Sequence, residues 1–143
     1  MADLGTYQFE ADLMKFADLV DVTIVDVVRK ISLDLFARII GNFDSHRHPV
    51  DTGRARAGWG ITIGTPEVPV PPPAPNGQAN YYPPPAIPDL ARVDGTVPVY
   101  ILNSVPYIER LEDGWSKQAP NGMVRLSLME VEAEIEALIK LNA

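Results

Sequence analysis

The stretch Val99–Leu128, VYILNSVPYIERLEDGWSKQAPNGMVRLSL, decides the fold that we predict for this chain. It begins with an apolar run that predicts a short strand. Asn103 and Pro106 then form a typical helix entry, because asparagine caps helices and proline suits the first helical turn. Gly114 suits the left-handed residue that ends a helix, so a short helix is predicted between Pro106 and Gly114.

This short helix has one apolar and one polar side. Tyr107, Ile108 and Leu111 form the apolar side, and the polar side carries Glu109, Arg110, Glu112 and Asp113. Three acids on a short amphipathic helix are typical of a solvated face, so we do not interpret them as a catalytic carboxylate pair. The connector that follows, Trp115 to Asn121, is predicted to be exposed.

Two further helices are predicted on either side of this stretch. Apolar residues between Phe9 and Ile40 recur in steps of three and four, which predicts one long amphipathic helix. The β-branched run Val22–Val25 would favour a strand, but the longer period outweighs it. From Gly122 to Leu141 the spacing is again helical, with a seam of apolar positions: Val124, Leu128, Val131, Ile135 and Leu138.

Two strands complete the predicted fold. Gly58–Thr65 alternates apolar and small or polar residues, and Val97–Leu102 can pair with it as an antiparallel partner across the intervening segment. The predicted class is therefore α+β, with a long N-terminal helix and a C-terminal helix packed on a small antiparallel sheet. At 143 residues the chain is expected to be a single domain, 1–143.

The segment between these strands is rich in proline. Residues 66–88 contain ten of the fourteen prolines, which favours polyproline II backbone. We treat residues 66–96 as an insertion and predict an extended arm, which either packs on a neighbouring subunit or is loosely tethered. Tyr81 and Tyr82 favour contact, because rigid aromatic side chains bury large area at small entropic cost. A proline-rich ligand for a host aromatic groove is a third, less favoured interpretation.

Composition limits the possible functions. The net charge of −7 argues against a protein whose main task is to bind nucleic-acid phosphates, although residues 44–65 carry a local positive balance. No apolar run approaches a membrane span, the acidic N-terminus does not resemble a secretory signal, and the absence of cysteine excludes disulfides and thiolate metal sites. We expect a globular protein without a membrane partner.

Motifs for catalysis are missing from the sequence. There is no Gly-x-Ser-x-Gly, no Walker loop and no Gly-x-Gly-x-x-Gly. His46 and His48 lie in a polar segment and could share a metal with Asp44 or Asp51, but there is no third histidine and no helical histidine pair. We predict exposed or capping histidines, no cofactor and no enzymatic activity, and keep a metal-dependent enzyme using His46 and His48 as an alternative.

Two blocks of sequence carry a resemblance to a known family. The first is PVDTGRARAGW at residues 49–59, and the second runs NSVPY, LEDGWSKQAP and GMVR between Asn103 and Arg125. In order and spacing they resemble the tail-completion, or neck, family of tailed bacteriophages. The proline-rich insertion 66–96 is longer than this family leads us to expect.

The resemblance implies a structural virion protein at the head–tail joint, made in the host cytoplasm. Such a tail-completion or tail-terminator subunit would form a ring, expected to be a hexamer, that caps the tail tube protein and meets the head connector or head-closure protein. DNA would pass through its lumen without specific binding. The related alternative is a head-closure or minor tail subunit. The residues expected to contact other subunits or the tube are Arg54, Arg56, Trp59, Tyr81, Tyr82, Tyr107, Trp115, Lys117 and Gln118.

Overall fold

The computed structural model describes residues 4–41 and 48–141 and has an α+β fold, as predicted. In chain order the elements are α1 (Leu4–Leu19), α2 (Ile24–Ile40), α3 (Arg54–Ala57), β1 (Trp59–Ile63), β2 (Val99–Asn103), α4 (Ile108–Glu112) and α5 (Val124–Leu141). One turn of 3-10 helix, Pro75–Gly77, interrupts the proline-rich segment.

The sheet has two antiparallel strands. β1 and β2 pair with Ile61 opposite Ile101, and the proline-rich segment connects them. This confirms the predicted pairing across the insertion. Residues Trp59 and Ile61 of β1 face the core, where the cluster consists of Phe36, Ile39, Trp59, Ala119 and Met123. The sheet is thereby covered by α2 and by the start of α5, whose Val124 packs on the same cluster.

The N-terminal helical region is two helices rather than the single helix predicted. The chain leaves α1 with Asp21 in the left-handed region, at φ 54°, and enters α2 through Thr23 in extended conformation. The Thr23 hydroxyl accepts a hydrogen bond from the backbone N–H of Asp26 at 3.2 Å. This cap competes with a continuous helix, so the β-branched run at Val22 marked a real break. The break allows α1 to pack on both α2 and α5.

Replacing Thr23 with alanine is expected to lower the free energy of unfolding by about 1 kcal/mol, since it removes the side-chain cap of α2. Urea unfolding followed by circular dichroism would measure the change. Thr65→Ala, at an exposed loop position, is the matched control and should change stability by less than about 0.5 kcal/mol. Equal effects of the two substitutions would contradict a stabilising role for the cap.

The C-terminal helix follows the predicted seam only in part. Val131 and Ile135 are buried, but Leu138 is 41% exposed, and Ser127 is fully buried on the same helix. The Ser127 hydroxyl donates to the carbonyl oxygen of Met123 at 2.7 Å, which satisfies it inside the core. The last two turns of α5 therefore leave an apolar edge at the surface.

The proline-rich insertion folds back on its own domain rather than projecting as an arm. Its backbone is extended, as predicted, but Leu90 and Val93 are buried. The guanidinium of Arg29 in α2 donates hydrogen bonds to the carbonyl oxygens of Ala91, at 3.1 Å, and Val93. A proline-rich backbone has few N–H groups but keeps all its carbonyls, so side-chain donors of the domain can hold it in place.

None of the described helices is long and apolar enough to cross a membrane.

Candidate interaction site

The two blocks that carry the family resemblance, residues 49–59 and 103–125, pack against each other. The backbone N–H of Val50 donates to the side-chain oxygen of Gln118 at 3.1 Å, and the Gln118 amide nitrogen donates to the Val50 carbonyl at 3.2 Å. Gln118 thus satisfies both backbone groups of a residue 68 positions away. It is a predicted contact residue that the structure uses to hold the two blocks together.

Asn103, at the end of β2, makes a second connection between the blocks. Its side-chain amide donates to the carbonyl oxygen of Ala55 in α3 at 2.7 Å, and its side-chain oxygen accepts from the backbone N–H of Val105 at 2.9 Å. Asn103 was predicted to cap the next helix. In the structure it caps the turn before α4 and also fixes α3 beside that turn.

Arg54 in α3 links the first block to the proline-rich segment and to the second block. Its Nε donates to the carbonyl oxygen of Pro71 at 2.7 Å. Its guanidinium carbon lies 5.7 Å from the centroid of the Tyr107 ring, within the range of a cation–π contact. Arg54, Tyr107 and Gln118 therefore belong to one cluster.

These three side chains line a surface cavity of about 420 Å³, shared with Pro73 and Ala74 of the insertion. The cavity has the size of a small ligand site. Arg54 is its positively charged residue and Asp51 is its negatively charged one, so the lining offers no excess of either sign. Its walls come from residues 49–59, from residues 103–125 and from the insertion, and the cavity thus marks the place where all three meet.

Trp115 and Lys117 lie on the exposed side of the second block. Trp115 is 72% exposed, and the guanidinium carbon of Arg110 lies 5.0 Å from its ring centroid. Lys117 is also exposed. A large aromatic ring this exposed is the type of residue that is enriched at interface centres.

Tyr81 and Tyr82 form an edge-to-face pair in the insertion, with ring centroids 4.9 Å apart. The hydroxyl of Tyr82 donates to the carbonyl oxygen of Pro72 at 2.6 Å, and its backbone N–H donates to the carbonyl of Thr52 at 2.9 Å. Tyr82 therefore fastens the insertion to the first block. Tyr81 is 44% exposed and is the member of the pair that faces solvent.

Trp59 is a core residue, which corrects its prediction as a contact residue. It is buried, and its indole Nε1–H donates to Nε2 of His48 at 2.8 Å. The ring packs in the hydrophobic cluster beneath the sheet, so it is not accessible to a partner. An alternating strand pattern marks which residues share a face, but not whether that face is covered.

His48 is buried with Trp59, which corrects the prediction of an exposed or capping histidine. Because the indole N–H can only donate, Nε2 of His48 is the acceptor, and Nδ1 carries the proton that it donates to the Pro49 carbonyl at 2.9 Å. Burial lowers the pKa of His48 to about 4, and the nearby charge of Arg56 acts in the same direction. Both ring nitrogens are occupied, so His48 has no free nitrogen for a metal.

Arg56 is half-buried in α3. Its Nε is buried and has no hydrogen-bond partner among the described residues. The positive charge of its guanidinium helps to lower the pKa of His48, after the larger effect of burial.

The described part of the chain gives no geometric support for a metal-dependent enzyme that uses His46 and His48. His46 and Asp44 lie outside the described residues, and His48 is committed to Trp59 and Pro49. Within residues 4–41 and 48–141, no three histidine, aspartate or glutamate side chains are grouped so that they could hold a metal ion.

Glu112 is the important residue that the sequence pattern misplaced. The sequence predicts that Glu112 lies on a solvated face. In the structure its carboxylate accepts hydrogen bonds from three successive backbone N–H groups, those of Met123 and Val124 at 3.1 Å and of Arg125 at 3.0 Å. It thus caps α5 from α4. The available signal was that Met123, just before α5, cannot cap a helix, so a capping side chain had to come from elsewhere.

Two glycines make this close approach possible. Gly114 has φ 90°, and a Cβ there would lie 2.3 Å from the carbonyl oxygen of Pro120. Gly122 has φ 84°, and a Cβ there would lie 2.5 Å from the carbonyl oxygen of Glu112. The prediction of a left-handed Gly114 is confirmed, and the loop 113–122 can close only with glycine at both positions.

No protein-family model, no curated protein and no solved structure matches this chain.

Proposed function

We propose that this protein is a structural subunit of a bacteriophage neck that completes the tail by forming a ring on the end of the tail tube. The proposal starts from the two sequence blocks that resemble the tail-completion family. Its partners would be further copies of itself, the tail tube protein and the head connector or head-closure protein, in the virion at the head–tail joint.

The observation that carries the proposal is that both blocks form one surface unit. Residues 49–59 and 103–125 are far apart in sequence, yet Gln118 pairs with Val50, Asn103 binds Ala55, and Arg54 lies on Tyr107. Residues that merely stabilise separate elements need not lie together. A shared task at one surface explains why these two blocks carry the resemblance, and Trp115 and Lys117 present that surface to solvent.

The charge of the protein is compatible with passage of DNA. A net charge of −7 repels phosphates, and a lumen lined by acids would keep DNA from adhering during ejection. This part of the proposal requires that the residues facing the lumen are not mainly lysine and arginine. Cryo-electron microscopy of the assembled ring would identify those residues directly.

The decisive experiment mixes purified protein with tail tubes that lack a terminator. Light scattering measures the mass of the free protein, and electron microscopy locates the bound protein. A ring or cap at one tube end supports the tail-completion function. If the protein does not bind the tubes but binds the head connector, the alternative function as a head-closure subunit is favoured. If it binds neither, the proposed neck function is wrong.

Lys117→Glu is expected to weaken capping of the tube while leaving the monomer folded. The substitution reverses an exposed charge beside Trp115, and loss of one favourable charge contact should raise the concentration needed for half-capping by about tenfold, or about 1.4 kcal/mol. Lys140→Glu makes the same charge change at the far end of α5 and is the matched control. If both variants cap tubes as well as the parent protein does, Lys117 is not a contact residue.

A further inference from the structure

A short polyproline II helix at residues 68–74 lies on the surface of the domain. Its sequence, VPVPPPA, is rich in proline, which fixes its own φ near −65° and keeps the preceding residue extended. The backbone has no turn or bend along this stretch. Ala74 at its end has φ −61° and ψ 141°, close to the polyproline II values of about −75° and +145°. We call residues 68–74 the PPII segment.

Burial along the PPII segment repeats every third residue. Val68 and Pro71 are half-buried and Ala74 is only 7% exposed, whereas residues 69–70 and 72–73 are exposed. A polyproline II helix has three residues per turn, so positions three apart share one edge. One edge of the PPII segment therefore faces the domain, and the other two edges face solvent.

Contacts along the inner edge hold the PPII segment in this orientation. A methyl group of Val68 packs on a glycine of β1. The carbonyl oxygen of Pro71 accepts a hydrogen bond from Nε of Arg54 at 2.7 Å. The carbonyl oxygen of Pro72 accepts one from the hydroxyl of Tyr82 at 2.6 Å. Because folding already fixes this conformation, a partner does not have to order the segment when it binds.

The two outward edges carry a pattern that protein domains recognise. Pro69 and Pro72 share one exposed edge, and Val70 and Pro73 share the other. Pro-x-x-Pro segments in polyproline II conformation dock into grooves lined by aromatic side chains, as in SH3 domains. A groove can enclose two edges of a three-sided helix and leave the third edge outside. In this protein the third edge is the one that already packs on the domain.

The other proline-rich stretch, residues 83–88, does not present this pattern. Its burial also repeats every third residue, but Pro85 and Pro88, the prolines spaced three apart, are the half-buried ones. Its Pro-x-x-Pro edge is therefore turned towards the domain. Of these two stretches, the PPII segment is the one whose Pro-x-x-Pro edge is exposed.

The PPII segment lies in an uncharged part of the chain, which limits the kind of partner. Between Glu67 and Asp89 there is no acidic or basic residue. Arg54 contacts the segment from the domain side, through the carbonyl oxygen of Pro71. An uncharged surface of proline rings and carbonyl oxygens offers no charge to hold nucleic-acid phosphates. It suits aromatic rings with N–H or O–H donors beside them.

We propose that the PPII segment is a docking site for a partner protein with an aromatic-lined groove of the SH3 type. The groove contacts the edge formed by Pro69 and Pro72 and the edge formed by Val70 and Pro73. At about 3.1 Å per residue, residues 69–73 span roughly 12–15 Å, so the contact is small and reversible. This inference does not depend on the proposed neck function.

NMR titration of the nitrogen-15-labelled full chain tests this docking site. The probes are isolated SH3 domains that bind Pro-x-x-Pro peptides in either chain direction, each also prepared with one groove aromatic replaced by alanine. We expect at least one SH3 domain to shift the backbone amide signals of Val68, Val70 and Ala74, the residues of the PPII segment that are not proline. The groove variant of that domain should leave these signals unchanged.

Pro69→Ala/Pro72→Ala is expected to raise the dissociation constant of that SH3 domain by at least about tenfold, because the exposed edge loses both its rings. Val70→Asp, on the second exposed edge, should weaken binding as well. Pro83→Ala/Pro84→Ala makes the same two changes at exposed positions of the other stretch and should bind as the parent protein does. Amide signals outside the PPII segment check that each variant keeps its fold.

Four results would each overturn the inference. They are no shift of the Val70 signal with any probe, binding that survives loss of the groove aromatic, equal binding by the two double variants, and shifts of the Val70 signal that depend on protein concentration without a probe. The last result would mean that a second copy covers the PPII segment.

Discussion

Glu112→Ala is expected to lower the free energy of unfolding by about 3 kcal/mol, because the carboxylate accepts hydrogen bonds from three backbone N–H groups at the start of α5. Hydrogen bonds to a charged group contribute about 1.5–3 kcal/mol each, but three bonds to one carboxylate are not additive. The negative charge also favours the helix N-terminus. Thermal unfolding followed by circular dichroism would record a midpoint lower by roughly 10 °C, at about 3 °C per kcal/mol for a domain of this size.

Two variants on the same short helix make this test specific. Glu109→Ala removes an exposed carboxylate from α4 and should change stability by no more than about 0.5 kcal/mol. Glu112→Gln keeps an acceptor oxygen but loses the charge, so its loss should be intermediate. If Glu112→Ala were no worse than Glu109→Ala, the proposed cap between α4 and α5 would not contribute to folding.

Glu112→Ala is also expected to weaken assembly, because it removes the hydrogen bonds between Glu112 and the start of α5. Glu112 fixes the loop that presents Trp115 and Lys117, since this loop lies between α4 and the α5 N-terminus. A variant that loosens the loop disorders both groups at once, so it should weaken tube capping more than Lys117→Glu does. For this reason Glu112 is a stability probe and is unsuitable for mapping the interface.

The stability of the protein is expected to fall by about 3 kcal/mol between pH 6.5 and pH 4 because of His48 alone. Burial lowers the pKa of His48 from 6.5 to about 4, and each pKa unit corresponds to about 1.4 kcal/mol. In this window the unfolded chain binds a proton that the folded protein does not, so stability rises with pH. The full contribution is present above pH 6.5, and no further loss from this group occurs below pH 4.

The hydrogen bonds of His48 explain why protonation of its imidazole is unfavourable in the folded protein. A proton on Nε2 of His48 would face the indole N–H of Trp59, so that two donors meet at the present 2.8 Å separation. Urea unfolding across pH 4 to 7.5 measures the stability, and nitrogen-detected NMR of the imidazole measures its titration and its Nδ1–H tautomer directly.

His48→Gln is the matched variant for this prediction. Glutamine can accept from Trp59 and does not titrate, so the variant should lose the pH-dependent component while staying folded at pH 7. A His48 ring that titrates near pH 6.5, or a parent protein and variant with the same slope of stability against pH, would contradict the buried neutral histidine.

The sequence by itself determined the features that depend on local spacing. The α+β class, the antiparallel pairing of β1 and β2, the C-terminal helix and the left-handed Gly114 all follow from residue periodicity and from turn chemistry within a few positions. Such signals can be read from a single sequence because a helix or strand repeats its pattern every few residues, and because glycine adopts a positive φ more readily than any other residue. Even the break at Thr23 was visible as a β-branched run, although the helical period of the whole region outweighed it.

Only the tertiary structure decided which side chains serve distant parts of the chain. Glu112 reaches the start of α5, Gln118 pairs with a residue 68 positions away, and Arg29 holds the carbonyl of Ala91, 62 positions away. The same holds for His48, whose burial follows from its contact with Trp59. A local pattern records that a residue is polar or charged, but its partner is set by how the elements pack. Backbone groups of Val50 and of the first turn of α5 needed partners, which Gln118 and Glu112 supply, and burial beside Trp59 gave His48 its role.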